Sequence, residues 1–389
     1  MDTWKMVKAA MPGPPCWETD WEILSSCGLT GFFGEMERTM QNPRWHGEKD
    51  VMTHTRMVCD ALAGLEEFRS LSEKVRHEVF LAALLHDIGK IPCTRLEDGQ
   101  WTSPNHGRVG SRMAREFLWR EWGMAGEADL QALRECVCLL IRFHMVPGHI
   151  LRRKDGERTL IQISAWGEAA PDFSLKLLHL LAEADLRGRI CDDTEEKLLE
   201  VELSRQMARD AGCFEQPALF PSEAARRDFF RGRTDWPGQE LYDDAWGEVV
   251  VLCGLPGTGK DTWISRNLPG LPCISLDEIR KKQKISPTNS QGQVIGEARK
   301  LAREYLRKKQ PFVWNATSLN SMTRDRIISL AEQYHGAVRL VYLETGWDTG
   351  LARNRQRKEE VPEAVIGQML SRLEPPGPDE ARRVEWHCV

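Results

Sequence analysis

Val249-Val250-Val251-Leu252-Cys253 runs without a break into Gly254-Leu255-Pro256-Gly257-Thr258-Gly259-Lys260-Asp261-Thr262, and this junction restricts the fold more than any other stretch of the 389-residue chain. Five consecutive apolar residues suit a strand buried on both faces, as in a parallel sheet covered by helices. The glycines then let the backbone curl so that its N–H groups converge, and the helix that follows adds the partial positive charge of its first turn. The result is a cradle for nucleotide phosphates, with Lys260 reaching the β and γ oxygens. Gly254, Pro256, Gly257, Thr258, Gly259, Lys260, Asp261 and Thr262 are the candidate nucleotide contacts. The usual loop has Ser or Thr directly after the lysine to hold magnesium. Here Asp261 stands in that place and the hydroxyl follows on Thr262, so either residue is a candidate for the metal.

Apolar runs recur after the loop, from Cys273 to Leu276, Pro311 to Trp314 and Val338 to Leu343, with amphipathic stretches between them. Strands alternating with helices predict an α/β unit with a central parallel sheet and right-handed crossovers. From Asp50 to about Met207 the pattern differs: Val109, Met113 and Phe117, or Leu133, Val137, Leu140 and Ile141, recur at helical spacing with no alternating run. Gly212 to Asp244 mixes Pro217, Pro221, Pro237 and Gly232 with Phe229, Phe230 and Trp236, too apolar a composition for a flexible tether. The predicted organisation is two domains, an all-α unit over 1–211 and an α/β unit over 246–389, joined by an ordered connector over 212–245.

Charge divides along the same line. Residues 1–245 carry 31 Lys and Arg against 41 Asp and Glu, whereas residues 246–389 carry 22 against 17. A basic C-terminal part fits a polyanionic ligand, although a solvated surface is the commoner meaning of such an excess. No apolar run approaches the length of a membrane span, and Met1 to Gly13 lacks an apolar stretch of signal-peptide length. Eleven cysteines without a CxxC pair, the closest two being Cys136 and Cys138, read as reduced thiols of a cytoplasmic protein with no membrane partner.

Eight of the ten histidines precede residue 180. In Leu84-Leu85-His86-Asp87-Ile88-Gly89-Lys90 an apolar helix beginning near Ser72 delivers an imidazole and a carboxylate side by side before Gly89 ends it. His54 lies in the first turns of another helix, and His106, His144 and Asp185 follow at the ends of helical stretches. Singly, each reads as a core histidine or a helix-end residue; the ordered set points to a site. The succession His54, His86-Asp87, His106, His144, Asp185 resembles the HD phosphohydrolase superfamily. The wording around Trp45-His46, His54-Thr55, Phe143-His144 and Ala184-Asp185 is also similar to the HD domains of bacterial tRNA nucleotidyltransferases. The resemblance spans roughly residues 40 to 200. It implies a helical bundle in which His54, His86, Asp87 and Asp185 hold one divalent ion, His106 and His144 complete a second site, and Asp87 bridges. Imidazole and carboxylate together suit Mn, Fe, Co, Ni or Zn, and such an ion makes a bound water more acidic and offsets phosphate charge. Lys90, which with Asp87 is taken as catalytic, and Arg187 or Arg189 are the nearest cations for a phosphate, although for the arginines a solvated surface is the commoner reading. His46 and Glu48 are expected to cap or orient the His54 helix, and His77 and His149 to be structural.

In the C-terminal part, Ser275-Leu276-Asp277-Glu278-Ile279-Arg280 places Asp277 at the end of the second expected strand, where acceptor hydroxyls meet the γ-phosphate in P-loop kinases. An aspartate there also suits a helix cap. Together with the loop, the S-x-D-x-x-R pattern resembles the polynucleotide 5′-hydroxyl kinases. That resemblance makes Asp277 the general base and Arg280 the contact to the phosphate beside the reacting nucleoside. It also makes Arg353 and Arg357, four residues apart on one helix face, the cations of a lid closing over the donor. GKxT loop endings also occur in nucleoside monophosphate kinases, so nucleotide binding is expected despite Asp261. Trp314-Asn315-Ala316-Thr317 is expected to face the same cleft, and the basic helix from Arg299 to Lys309 to be solvated or to touch a nucleic-acid backbone.

The order of the two parts resembles the bacterial HD-domain polynucleotide kinases. This implies that the first site removes a 2′,3′-cyclic phosphate or 2′-phosphate and the second phosphorylates a 5′-OH, using an NTP (ATP or GTP) with Mg²⁺. Partners would be RNA or DNA ends, single-stranded, and a ligase acting downstream. Two other readings remain: an HD nucleotidase fused to a small-molecule nucleoside or nucleotide kinase, and a nucleotide-gated sensor without turnover.

Overall fold

The computed structural model describes residues 3–285 and 292–389. The chain divides into two compact units, one formed by Met1–Met124 and Asp129–Ala218, the other by Ala125–Ala128 and Leu219–Val389. No helix among the described residues is long and apolar enough to cross a membrane, and the eleven cysteines are free thiols.

The N-terminal unit is built around the helix Glu73–Leu85, whose residues Val79 to Leu85 are fully buried. A helix apolar all round belongs in the middle of a bundle, and each large side chain so buried stabilises by roughly 1.5–3 kcal/mol. Ser72 caps it by accepting the Val75 N–H, and Asp50 and Ser174 do the same for Val51–Gly64 and Leu175–Arg187. These three helices carry His86-Asp87, His54 and Asp185; His106–Arg120 and Ala128–Phe143 bring His106 and His144. The last two helices are tied by a buried cluster. Arg115 donates to both oxygens of Glu135 at 2.7–3.0 Å, and Arg134 donates to Glu135 at 2.9 Å while stacking over Trp119. The N-terminal segment packs its tryptophans inward: Trp4 against Trp122 and His77, Trp17 against Phe68, Trp21 against Phe33.

One feature departs from the all-helical expectation, and Gly89 departs from its expected role as helix terminator, the helix having ended at Leu85. Arg95–Glu97 and Gln100–Thr102 form an antiparallel hairpin, closed by Asp98-Gly99 with φ of 49° and 75°. Asp-Gly with both residues left-handed is the preferred two-residue hairpin turn, and it was the signal to read. Gly89 does not end its helix through a left-handed bend, since its φ is −66°. It is glycine because a Cβ there would lie 2.0 Å from the His106 carbonyl oxygen and 2.5 Å from Gly110 N.

The C-terminal unit holds a five-stranded sheet in the order Cys273–Ser275, Phe312–Asn315, Glu248–Cys253, Ala337–Glu344, Arg383–Cys388, every pair parallel. Four strands fall on the predicted apolar runs. The fifth, Arg383–Cys388, is an edge strand of half-buried alternating residues without an apolar run; its Glu385 receives two hydrogen bonds from Arg339 across the ladder. Val250, Leu252, Trp263, Val313, Val341 and Leu343 form one core layer. Glu248–Cys253 lies between strands reached by crossovers of opposite direction, so the crevice at its carboxyl end is the expected ligand position of such a sheet. Of the segment 212–245, residues from Leu219 belong to this unit: in the helix Glu223–Phe230, Arg227 pairs with Glu332, and just beyond it Arg231 pairs with Asp325.

Candidate functional site

In the N-terminal unit the predicted ligands converge on Asp87, which is 1% exposed at the end of the central helix. His86 Nε2 lies 3.2 Å and His54 Nε2 3.6 Å from Oδ2, while His106 Nε2 lies 3.4 Å and His144 Nε2 3.9 Å from Oδ1. Asp185 Oδ1 is 3.0 Å from His54 Nε2 and 4.0 Å from His86 Nε2. Two sets of three, His54-His86-Asp87 and Asp87-His106-His144, are each close enough to hold an ion.

The far side of each ring determines what the near side can do. Nδ1 of His86, His106 and His144 faces the carbonyl of Ala83, Ser103 and Ile141, each three residues back, at 2.7–2.8 Å. Nδ1 of His54 faces Gly188 O at 3.1 Å and Glu48 Oε1 at 2.9 Å. Carbonyls and carboxylates only accept, so every Nδ1 carries a proton and every neutral ring presents a bare Nε2 lone pair inward. The Nε2 atoms lie 3.4 Å apart in His54 and His86 and 3.2 Å apart in His106 and His144. Burial acts to lower the His54 pKa, but its Nε2 also faces Asp185 Oδ1, and that carboxylate with Glu48 raises it. Neither Asp87 oxygen receives a hydrogen bond of normal geometry, Lys90 Nζ standing 2.7 Å from Oδ2 as an ion-pair contact. Converging imidazole Nε2 atoms around a buried carboxylate that receives no hydrogen bond of normal geometry fit one or two divalent cations, with backbone carbonyls as the outer partners that orient such histidines. Burial, with the neighbouring imidazoles, pushes His144 down to about 3, so it is a neutral imidazole at physiological pH. Burial raises the Asp87 and Asp185 carboxyls, but their neighbours prevail and hold both well below the usual range: the His86 ring and the Lys90 ammonium for Asp87, the Arg189 guanidinium for Asp185.

Asp87, His106, His144 and Asp185 line a cavity of about 720 Å³ whose wall includes Arg44, Trp45, Lys90, Trp101, Arg152 and Arg189, with His54 and His86 buried behind them. Of the two candidate arginines, Arg189 lines this cavity and donates to Asp185 at 2.8 Å, whereas Arg187 turns outward to Glu183. Lys90 also donates to Gln41. His149, expected as structural, lines the cavity too, while His77 packs on Trp4. The helix cap is Asp50, not His46 or Glu48. Glu48 instead binds His54 and His46 and accepts the Ile190 N–H at 3.0 Å. Nothing in the sequence marks Gln41, Arg44 or Trp101; they reach the cavity only through tertiary packing.

In the C-terminal unit the loop has the backbone its glycines imply. Gly254, Gly257 and Gly259 have φ of 143°, 83° and 76°. A Cβ on Gly257 would lie 2.2 Å from the Gly350 carbonyl oxygen of the helix Trp347–Arg355. Helix Lys260–Asn267 starts without a side-chain cap, which leaves its first N–H groups for an anion. Lys260 Nζ donates to the carbonyls of Gly254 and Leu255 at 3.0 and 2.9 Å. Enclosure in the loop pushes its ammonium down to about 8 against the attraction of Asp261.

Asp277 lies in the first turn of the helix Leu276–Gln283, just after the edge strand Cys273–Ser275, and is bound by Arg280 through one oxygen and by Arg357 through the other, the latter at 3.2 Å. Burial acts to raise its carboxyl, but the two arginines hold it below the usual range. Arg357 lies beyond the end of the helix Trp347–Arg355, so it does not share a helix face with Arg353 as expected, and the turn there brings it to the candidate base. Arg353 lies nearer the loop, its Nη1 3.8 Å from where a Cβ on Gly259 would be, and donates to the Val389 carbonyl. Arg355 points elsewhere, toward Glu363. Pro256, Thr258 and Thr262 occupy the loop and first helical turn, Thr258 closing the loop onto the Leu255 carbonyl. Asn315 donates to Asp261 at 2.7 Å, and Thr317 O accepts the Gly254 N–H.

Comparison with known proteins gives each unit a family match. Residues 50–185 match the family model of the HD domain, and residues 249–376 match that of an AAA domain. A bifunctional uridylyltransferase/uridylyl-removing enzyme of Aromatoleum aromaticum is 25% identical over 196 residues, 49% of this chain and 21% of that enzyme. The chain thus spans about a fifth of the length of the curated relative it matches. Helical bundle, converging histidines, glycine loop and parallel sheet agree with these matches: the chain carries an N-terminal HD domain followed by a C-terminal P-loop domain of the AAA type.

Proposed function

We propose that the chain is a two-site enzyme that heals nucleic-acid ends: the HD site hydrolyses a 2′,3′-cyclic phosphate or 2′-phosphate, and the P-loop site transfers the γ-phosphoryl of ATP or GTP to a 5′-OH. The observation that carries this reading is the pairing, on one chain, of four inward-facing imidazoles around Asp87 with a phosphate loop beside an aspartate gripped by two arginines. At the HD site, His54, His86, Asp87 and Asp185 would hold one divalent ion, with His106, His144 and the other Asp87 oxygen for a second. Such an ion supplies a water acidic enough to act at neutral pH and offsets phosphate charge. Lys90 and Arg189 orient the two carboxylates and are the cations available to phosphate oxygens, while Trp45 and Trp101 offer flat apolar walls to a base. That the matched relative is named for a uridylyl-removing activity supports a hydrolytic reading of this site.

At the P-loop site the donor is an NTP accompanied by Mg²⁺. Lys260 counters charge on the β- and γ-phosphates, Arg353 and Arg357 clamp the triphosphate, Asp277 takes the 5′-OH proton, and Arg280 holds the phosphate of the terminal nucleotide. RNA or DNA single-stranded ends are the substrates, a ligase consumes the products, and the setting is cytoplasmic. The size of the HD cavity also suits a free mononucleotide, which keeps the small-molecule reading alive. The test compares kcat/KM on a single-stranded oligonucleotide bearing a 5′-OH and a 2′,3′-cyclic phosphate with that on the matching mononucleosides and cyclic mononucleotides. The end-healing reading requires a strong preference for the oligonucleotide; equal rates would replace it with the small-molecule one.

A further inference from the structure

The residue after Lys260 is an aspartate, and the strand beside the loop explains why that is tolerable. In P-loop NTPases the ion accompanying the nucleotide is held by the hydroxyl that follows the lysine and by an aspartate outside the loop. Here the strand Phe312–Asn315 pairs in parallel with Glu248–Cys253, Asn315 opposite Leu252, so it ends level with the start of the loop. It ends in Asn315, a buried, uncharged amide that donates to Asp261 Oδ1 at 2.7 Å. Resting on the phosphoryl-transfer reading above, we propose that Asp261 is the carboxylate that holds the nucleotide's divalent ion and that Asn315 is its positioning residue. The negative ligand then stands in the first turn of the helix, and the strand end beside it carries a neutral donor.

The exchange is balanced in charge and geometry. An aspartate at 315 facing Asp261 at this distance would put two carboxylates in contact, which disfavours ionisation of one of them. An amide instead fixes one oxygen of Asp261 and leaves the other for the ion. The placement also has a binding consequence. A carboxylate beside the phosphates repels a bare triphosphate and attracts the same nucleotide once a divalent ion accompanies it. The loop therefore discriminates against metal-free nucleotide more sharply than one with a neutral hydroxyl at this position.

The experiment uses the full chain and a ribose-labelled fluorescent ATP, titrated with excess Mg²⁺ and again with chelator, so that the readout is the ratio of the two affinities. EPR of Mn²⁺ with the same nucleotide gives an independent readout, with the signal of nucleotide-free protein subtracted. Wild type should bind the metal complex far more tightly. Asp261→Asn, nearly isosteric, should reduce that ratio at least tenfold while leaving chelator-condition binding unchanged or tighter. Asn315→Asp alone should weaken metal-nucleotide binding, and Asp261→Ser with Asn315→Asp, which rebuilds the common arrangement, should restore most of the ratio. An unchanged ratio in Asp261→Asn overturns the inference, as does its loss in Thr262→Val alone, which would make the hydroxyl the ligand. A wild type that binds no nucleotide under either condition refutes the phosphoryl-transfer reading itself and this inference with it.

Discussion

Replacing Gly89 by alanine tests how closely the HD site depends on backbone contact. The new Cβ would lie 2.0 Å from His106 O, 2.5 Å from Gly110 N and 2.9 Å from Gly110 Cα, all backbone atoms that no rotamer change can move aside. Restoring an ordinary contact with the carbonyl requires the turn after Asp87 and the helix His106–Arg120 to separate by about 1.4 Å. Asp87 Oδ1 and His106 Nε2 sit on either side of that contact, 3.4 Å apart, whereas metal–ligand distances tolerate only about ±0.2 Å. Overpacking costs roughly 1–3 kcal/mol, and a clash wholly between backbones belongs at the upper end. About 3 kcal/mol corresponds to a fall in Tm of roughly 6–12 °C for a unit of this size. Gly89→Ala should therefore lose the ion shared by Asp87, His106 and His144, measured by elemental analysis after metal loading and dialysis, together with a drop in Tm of that order. Gly64→Ala is the control, since its Cβ meets nothing within 4 Å at a helix end. If Gly89→Ala loads the same metal as wild type at the same Tm, the claim that this glycine sets the spacing of the two ligand helices is wrong.

Four further outcomes are expected. Glu135→Gln leaves Arg115 and Arg134 uncompensated in the core and should cost about 3–5 kcal/mol in urea unfolding; a loss below about 1 kcal/mol would contradict the cluster's structural role. Glu78 is buried without a normal hydrogen bond, and burial beside Asp172 pushes its carboxyl up from 4.5 to about 8. Its neutral form is the one the fold prefers, so its contribution is complete below pH 4.5 and is lost as pH rises toward about 8, at ~1.4 kcal/mol per unit. Glu78→Gln should flatten stability over that window, and an unaltered pH profile would refute the assignment. Glu48→Ala leaves His54 Nδ1 with the Gly188 carbonyl as its partner and removes the carboxylate; it should weaken metal binding about 10–100-fold in competition with a chelator, and unchanged affinity would make Glu48 a bystander. Gly257→Ala drives a methyl into the Gly350 carbonyl at a left-handed residue and should abolish nucleotide binding while HD-site metal loading stays at the wild-type level.

Much of the architecture was readable because it rests on local rules. Val249 to Thr262 encodes strand, loop and helix in consecutive residues, and the helical spacing around His86-Asp87 orders the bundle. What escaped depends on contacts remote in sequence. Gly89 looks like a helix terminator, and only the approach of Gly110 shows that it is a packing glycine. Arg187 and Arg189 are equivalent on paper; the end of Leu175–Arg187 turns one to solvent and the other to Asp185. Arg383–Cys388 lacks the apolar run of a central strand because it forms the edge of the sheet. The hairpin around Asp98-Gly99 is the exception: its turn signal was local and strong, but the strands beside it are too short and polar to register as a pattern.

The central claim is that two separate phosphate sites act on one substrate. It is tested most directly by incubating one oligonucleotide bearing a 5′-OH and a 2′,3′-cyclic phosphate with Mg²⁺ or Mn²⁺ and NTP, using wild type, Asp87→Ala and Asp277→Ala. The account predicts that Asp87→Ala loses only the 3′-end reaction and Asp277→Ala only the 5′-end reaction. Wild type leaving both ends untouched, or either substitution abolishing both reactions in a protein that still melts like wild type, would contradict it.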